Sequence, residues 1–407
     1  MLVLVDCKSS GVSLGNVLNE RGVPWCHVYD YDRASAPALP PATATIPHHD
    51  LATSLGQLRA LGVTAVVPGS EQGVALANEL AHELELPHND PELAPARRDK
   101  FHMVRAVRAH GVPAARTELV HDRAELDRAL RDWESFPIVV KPATSAGSEG
   151  VRIVHTQQQA VDAFEAVAGA INRMNVRNDG VVLQEFLDGT MYVVNTVSAG
   201  GVHKVSDVYE KRIDKVAGNP VCRHLLLRRD LSDFEESAIK YTFGCLDALG
   251  FENGAAHTEI MRTSNGPRLV EVNSRLMGPA MPSDTFVPSL GYSQATELAE
   301  RYADEAGFRR GMDSPYAPCR SFAQAQLHLR DAGTIRAVPG LDRIRRLPGF
   351  LGFSHTPRAG NEIKDPLLTT GDNGVCYFSH EDEDVVRDSL EQLHQWEDDD
   401  LIFDVTP

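Results

Sequence analysis

Glu259, Glu271 and Asn273 carry the oxygen donors with the most pointed spacing in this chain, in the stretch GAAHTEIMRTSNGPRLVEVNSR over residues 254–275. The stretch reads as two alternating strands, Ala255–Arg262 and Arg268–Ser274, joined by Thr-Ser-Asn-Gly-Pro. A two-residue Asn265-Gly266 turn would make Ser264 and Pro267 the closing pair, and Pro267 has no N–H to give. A three-residue loop, Ser264 to Gly266, avoids this and sets Glu259 opposite Glu271. Alternation then puts His257, Glu259, Glu271 and Asn273 on one face, with Arg275 at its frayed end. Thr258, Ile260, Val270 and Val272 take the other, packed face. Two carboxylates and an amide oxygen this close repel one another unless a cation lies between them. Hard oxygen donors of this kind suit Mg²⁺, which keeps waters and substrate phosphates as its other ligands. A half-buried hairpin with its polar face in water fits the same residues, so the rest of the chain must decide.

Two lysines with unusual surroundings bear on that choice. Lys100 lies in the first turn of a helix expected from Asp99 to His110 and stopped by Gly111 and Pro113. A lysine is electrostatically misplaced at a helix N-terminus, which hints at another role. Lys141 ends the apolar strand of FPIVVKPATSAGSEGVRIV, just before a loop of small residues, Ser145–Gly150, and a second strand, Val151–Val154. Backbone N–H groups among Ser145, Gly147 and Ser148 can approach anionic oxygens closely, and Lys141 adds a fixed positive charge. A plain hairpin with a long tip is the bland alternative. It is not a Walker A loop, because the lysine precedes the glycines. Further along, VVLQEFLDG over 181–189 is an apolar strand running into a turn.

The elements that must position these groups fall into three parts. Residues 1–95 alternate strand and helix (Leu2–Val5, Leu14–Arg21, Trp25–Tyr29, Ala65–Val67, then PGSEQGVALANELAHELEL), which predicts a doubly wound parallel α/β domain. Gly11 and Gly15 do not form a GxGxxG dinucleotide fingerprint. Glu71 sits where open α/β sheets bind ligands, and equally where an acid complements a helix dipole. HNDPELAPARR reads as a linker, residues 96–310 as the central part, and 311–407 as a small α+β module. A charged loop is expected over Arg212–Arg229.

Composition narrows the function classes. The 407 residues are 42% hydrophobic, enough for a sizeable core. The net charge of −17 argues against non-specific binding to nucleic acid or anionic membrane. Cys7, Cys26, Cys222, Cys245, Cys319 and Cys376 form no CxxC pair, which disfavours a zinc site or disulfide framework and fits a reducing cytosol. The opening MLVLVD is too short for a signal segment, and no apolar run approaches the ~20 residues of a membrane span. A soluble cytoplasmic protein acting on small molecules, with neither nucleic acid nor membrane as partner, is expected.

Taken in order, the helix lysine, the strand lysine with its Gly/Ser flap, the Gln184–Leu187 turn and the acid hairpin resemble the ATP-grasp superfamily. In that superfamily two α+β subdomains hold ATP between them. The resemblance implies an ATP-grasp core over 96–310 with a flap subdomain at about 114–188. It implies that Lys100 and Lys141 contact ATP phosphates and that Ser145, Gly147 and Ser148 close over them. Gln184 would reach the adenine amino group, Glu185 and Leu187 would pair with the adenine edge through backbone groups, and Phe186 would line the pocket. Glu259, Glu271 and Asn273 would hold one or two Mg²⁺, with Mn²⁺ as an alternative, and Arg275 would stabilise the reacting oxygens. Where the family often has a ribose-binding glutamate, four residues after Leu187, this chain has Met191, leaving Asp188 or Tyr192 for that contact.

Within the superfamily, AAHTEI…LVEVNSR with PGSEQGV…LPHN is similar to L-amino acid ligases of the bacilysin-synthetase type. That similarity implies ATP-dependent joining of a carboxylate to an amine, both expected to be amino acids, through an acyl-phosphate, in the setting of secondary metabolism, with a homodimer as one assembly. It assigns the charged loop carrying Arg223 and His224 to the substrate region, and Glu71, at a strand's carboxyl end, and His257, on the hairpin's polar face, are further substrate candidates. Pro279 stands where the family has a pocket-limiting aromatic, eight residues after Glu271. The alternatives are an ATP-dependent carboxylase of the biotin-carboxylase or purine-synthesis type, which shares the core, and a non-catalytic ATP-binding module.

Overall fold

The computed structural model describes the chain apart from residues 32–38, 134, 146, 148, 173, 217–218, 280–282, 313, 364–372 and 407. Strands β1 (Leu2–Val5), β2 (Trp25–Tyr29), β3 (Ala44–Pro47) and β4 (Ala65–Pro68) form an all-parallel sheet in the order β3-β2-β1-β4. Helix α1 (Ser10–Glu20) covers one face through Leu14 and Leu18 against Trp25. Helices α2 (Leu51–Ala60) and α3 (Val74–Glu83) cover the other through Leu55, Leu58, Ala77 and Leu80. The sheet is thus doubly wound, and burial on both faces explains its short all-apolar strands. The loops after β1 and β4 meet at the sheet's carboxyl end, where a Cβ on Gly11 would lie 2.4 Å from the carbonyl oxygen of Gly69. Only glycine permits that approach.

After helix α4 (Lys100–Ala109), β5 (Thr117–Val120), β6 (Ile138–Pro142), β7 (Arg152–Val154) and β8 (Val181–Glu185) build a second sheet, ordered β5-β8-β6-β7. Alternation divides its strands. Ile138 and Val140 pack under helices α5 (Arg123–Arg131) and α6 (Gln157–Val167), which leaves Val139 and Lys141 on the open face.

The largest sheet is antiparallel and eight-stranded. It contains β9 (Thr190–Ala199), β10 (Val202–Val216), β11 (Asn219–Leu227), β12 (Gly254–Thr263), β13 (Gly266–Asn273) and β14 (Ser321–Gln326). Following β15 (Gly333–Ala337), β16 (Phe350–His355), β17 (Glu362–Ile363) and β18 (Val375–His380), its order is β13-β12-β9-β10-β11-β14-β18-β16. Helix α7 (Asp233–Ala248) and α4 pack on one face around Val194, Val208, Ile260 and Leu269. Helices α8 (Ser283–Leu290) and α9 (Gln294–Ala303) lie against the other, with α10 (Glu305–Arg310) following. Helix α11 (Leu341–Ile344) and the long α12 (Glu383–Asp398) pack beneath β11, β14 and β18.

Within residues 311–407, β14, β16 and β18 extend the large sheet, while β15, β17 and β19 (Asp404–Thr406) form a small sheet of their own. The charged loop expected over Arg212–Arg229 is instead mostly β10 and β11, paired from Tyr209↔Leu227 to Val216↔Asn219. Arg223 on β11 and Arg228 just after it pair with Glu397 and Asp398 of α12 and with Glu235 of α7, partners that local composition does not reveal.

Candidate active site

The hairpin β12–β13 sets Glu259 opposite Glu271 and His257 opposite Asn273, as alternation requires. It reaches that register by another route. The turn holds only Ser264 and Asn265, with Thr263 facing Gly266, and Arg262 faces Pro267. A bulge then intervenes, because Glu259 faces Glu271 while Ile260 faces Leu269, so Val270 is the extra residue. The consequence overturns one assignment. Leu269, not Val270, is fully buried with Ile260 and Val272, and Val270 looks into the cavity beside Met261. Leu269→Ala is therefore expected to cost about 2–5 kcal/mol in urea unfolding. Val270→Ala should cost less and instead weaken nucleotide binding; the reverse order would refute the register.

Between the flap sheet and the large sheet lies a cavity of about 570 Å³. Val139 and Ile153 form its roof, Met191, Met261 and Val270 its floor, and Glu185, Phe186 and Leu187 one end. A second lobe, about 310 Å³, opens from it toward the N-terminal sheet and shares Gly147, Lys211, Cys222, Glu259 and Glu271 with the first. Both volumes fall in the range of small-molecule sites. The acid pair stands at the junction.

Each acid has a lysine. Lys211 Nζ is 2.6 Å from Glu259 Oε1, and Lys100 Nζ is 3.2 Å from Glu271 Oε2. Burial alone would raise both carboxyl pKa values, but Lys211 beside Glu259 and Lys100 beside Glu271 outweigh it and hold them below the ordinary range. Lys141 is buried and its pKa is pushed down to about 8, first by burial and then by Lys100. Its Nζ donates to Gln184 Oε1 at 2.7 Å, and Gln184 Nε2 donates to Thr117 Oγ1 at 3.4 Å. The amide of Gln184 is thus engaged at both ends. The N–H of Glu185 is bound to the carbonyl of Arg116, so a ligand can meet this residue's backbone only at its carbonyl. Helix α4 is capped by Asp99, and Lys100 Nζ donates to the carbonyl of Ser145 at 3.1 Å, tying it to the base of the flap. Gly147 has φ +67° and lines both lobes, and Ser148 lies outside the described residues.

The second lobe joins parts of the chain far apart in sequence. Lys8, Ser9 and Ser10 after β1 and Ser70, Glu71 and Gln72 after β4 face His257, Asn273, Arg275 and Pro279 across it. Glu71 does not serve as a helix cap; its Oε2 accepts from Arg275 Nε at 3.0 Å. Arg275 Nη1 donates to the carbonyl of Leu276 at 2.8 Å. These two bonds aim the fork at the lobe.

Two expected substrate residues are placed elsewhere. Arg223 is buried under the sheet, bonded to Asp214, Glu397, Asp398 and the carbonyl of His394. His224 touches the rim of the first lobe, but its Nδ1 is 2.8 Å from Nε2 of His394, so it is tied to α12. His224 follows the unbroken alternation that also puts Leu226 against α12, whereas the bulge at Arg212/Ile213 makes Arg223 the extra residue of β11 and turns it to the same side. Arg223→Ala strands Glu397 in the interior and is expected to lower stability by about 3–5 kcal/mol, leaving KM values unchanged in the folded fraction. A selective rise in one substrate's KM without loss of Tm would refute this structural role.

Lys211, Met191, Met261 and Val270 were missed as site residues. Alternation of Tyr209, Lys211 and Ile213 along β10 was the available signal for Lys211.

Among the described residues no three His, Cys, Asp or Glu side chains converge as an all-protein metal cage. Two carboxylates and one amide fit Mg²⁺ in the mode that takes one or two carboxylates and fills the remaining positions with water and phosphate. No helix among the described residues is long and apolar enough to cross a membrane.

Comparison with known proteins bears on the fold and the family. Residues 134–284 match the profile of the ATP-grasp domain. The chain is 29% identical over 358 residues to dapdiamide A synthase of Enterobacter agglomerans, covering 86% of this chain and 84% of that protein. It is 21% identical to the L-arginine-specific L-amino acid ligase of Bacillus subtilis, over 73% of this chain and 70% of that one. The solved structure of an L-amino acid ligase from Bacillus licheniformis superposes with a TM-score of 0.80 at 19% identity, covering 100% and 98% of the two chains, and so shares the fold. Residues 134–284 thus match an ATP-grasp domain, and the chain as a whole resembles ATP-grasp amide-bond ligases, the L-amino acid ligases among them.

Proposed function

We propose that this protein is an ATP-dependent carboxylate–amine ligase that joins amino acids or similar acids and amines through an acyl-phosphate, releasing ADP and phosphate. The observation that carries this reading is the acid pair Glu259/Glu271, lysine-flanked, at the junction of an apolar-walled lobe and a polar lobe ending on the N-terminal domain.

In this reading the adenine lies between Val139 and Ile153 above and Met191, Met261 and Val270 below, against Glu185, Phe186 and Leu187. Gln184 is released from Lys141 when that lysine turns to phosphate. Lys100, Lys141 and Lys211 neutralise the charge spread over the transferring phosphoryl group, and the backbone of Ser145 and Gly147 encloses it. Glu259, Glu271 and Asn273 would hold Mg²⁺, which when bound adds charge neutralisation of the same kind. The substrate carboxylate attacks the γ-phosphorus, ADP departs, and the amine then displaces phosphate to give the amide. Arg275, steadied by Glu71, meets the oxygens that gain charge in both steps. Lys8, the serines and Gln72 line the part of the second lobe left for the substrates, and Pro279 limits it.

Incubation of the purified protein with ATP, Mg²⁺ and pooled amino acids tests the reading, with phosphate release and product masses measured together. A new amide mass formed in step with phosphate is expected. Bicarbonate-dependent ADP release without an amide would instead mark a carboxylase.

A further inference from the structure

Of the lysines and arginine among the described residues of the second lobe, Lys211 is paired with Glu259 and Arg275 with Glu71, while Lys8 forms no ion pair. We infer that Lys8 anchors the carboxylate of the amine substrate, and so makes the enzyme select an α-amino acid over a plain amine or an amino acid amide. The inference rests on the ligase reading.

The loop after β1 presents this lysine firmly. Asp6 and Ser9, on either side of it, are non-glycine residues with φ of 52° and 46°. Such a conformation persists only where its surroundings hold it, and it gathers at binding sites. The N–H of Cys7 donates to His27 Nε2 at 3.2 Å, which ties the loop to β2. Asp6 is within electrostatic reach of Lys8, yet its Oδ1 accepts from the N–H of Asp30 at 3.0 Å and makes no ion pair with the lysine. The ammonium of half-buried Lys8 lies instead 3.5 Å from the centre of the Tyr31 ring. An aromatic face steadies a cation without neutralising it.

The same loop borders the reacting centre. Ser9 Oγ and Arg275 Nη1 lie 3.1 and 4.0 Å from one point, where a Cβ on Gly278 would stand, so the loop bearing Lys8 adjoins the arginine. The acid substrate uses its carboxylate at the acid pair. An α-amino acid arriving as the amine keeps its own carboxylate carbon two bonds from the reacting nitrogen. With that nitrogen at the acyl carbon beside Arg275, the carboxylate falls in the lobe that Lys8 lines. A partly buried ammonium without a counter-ion is costly, and this carboxylate supplies one. It also survives into the product, so the contact can hold the amine until the amide has formed.

A panel of L-amino acids and the matching L-amino acid amides, offered as the amine with ATP, Mg²⁺ and an accepted acid, isolates this contact. The wild type should favour the amino acid by about 10- to 100-fold in kcat/KM, the scale of a hydrogen bond to a charged group. Lys8→Met removes the charge and keeps much of the length, and should lose most of that preference through a higher KM for the amino acid. Lys8→Arg should keep it. Both amines are compared on one protein, so the ratio does not depend on the folded fraction. Hydroxylamine traps the acyl-phosphate without a carboxylate of its own, and hydroxamate formation should fall far less in Lys8→Met than amide formation from the amino acid. No preference in the wild type, an unchanged preference in Lys8→Met, or a matching loss of hydroxamate, which would place Lys8 on the acid substrate, would each overturn the inference. If the wild type makes neither amide nor hydroxamate from any acid, the ligase reading fails instead. Calorimetric titration of the ADP-loaded protein with the same panel needs no turnover and still decides the anchor: amino acids should bind more tightly than their amides to the wild type and not to Lys8→Met.

Discussion

Glu259→Gln and Glu271→Gln are each expected to lower amide formation by about 10³-fold or more, the scale on which several kcal/mol of charge stabilisation is lost. Glutamine keeps the shape and the strand register, so the effect isolates the charge. Loss of Glu259 leaves Lys211, 2.6 Å away, without its partner in the interior. Loss of Glu271 does the same to Lys100, while Asn273 Nδ2 can still donate to the remaining Oε1. Some loss of stability must therefore accompany both changes, and the comparison has to be made well below each variant's Tm. ATP binding measured with and without Mg²⁺ separates the two consequences. The wild type should bind more tightly with the ion, and the variants should lose most of that difference. Turnover within tenfold of wild type in either variant would remove these carboxylates from the reaction.

The second large effect belongs to Arg275. Arg275→Lys retains a positive charge but loses the planar fork that bonds Glu71 Oε2 and the Leu276 carbonyl together. Its kcat is expected to fall about 10²- to 10³-fold, as when one donor to a developing oxyanion is removed. The KM for ATP should change little, because Arg275 lines the second lobe and not the first, where the proposal puts the nucleotide. Glu71→Gln keeps an acceptor for Nε without the charge and should fall between the wild type and Arg275→Lys. A rise in the ATP KM matching the fall in kcat would assign Arg275 to nucleotide binding instead.

Both predictions rest on residues that the amino-acid sequence already singles out. Alternation along residues 254–275 is enough to pair Glu259 with Glu271, because a strand's period of two depends only on local backbone geometry. The strand-to-flap character of Lys141–Gly150 is legible for the same reason, as is the alternating strand and helix pattern of the first domain. Resemblance of the whole ordered set points to ATP, which no single segment does.

What local pattern could not supply was everything that depends on which strands become neighbours. Placing β9 between β12 and β10 brings His257, Asn195 and Asp207 into one row and Lys211 onto Glu259, although these residues lie far apart in the chain. Non-local pairing leaves no trace in a periodicity. Bulges are equally silent: one moves Val270 into the cavity and Leu269 into the core, and another turns Arg223 toward α12. An extra residue costs little in a local pattern and reverses every side chain beyond it. Glu71 could be read from sequence as a helix-end acid; only the packing of the N-terminal sheet against the hairpin turned it to Arg275. The sequence by itself determined which groups are candidates for phosphate and metal and on which local elements they ride. The tertiary structure decided which of them meet, because strand order and domain packing are set by burial over the whole chain.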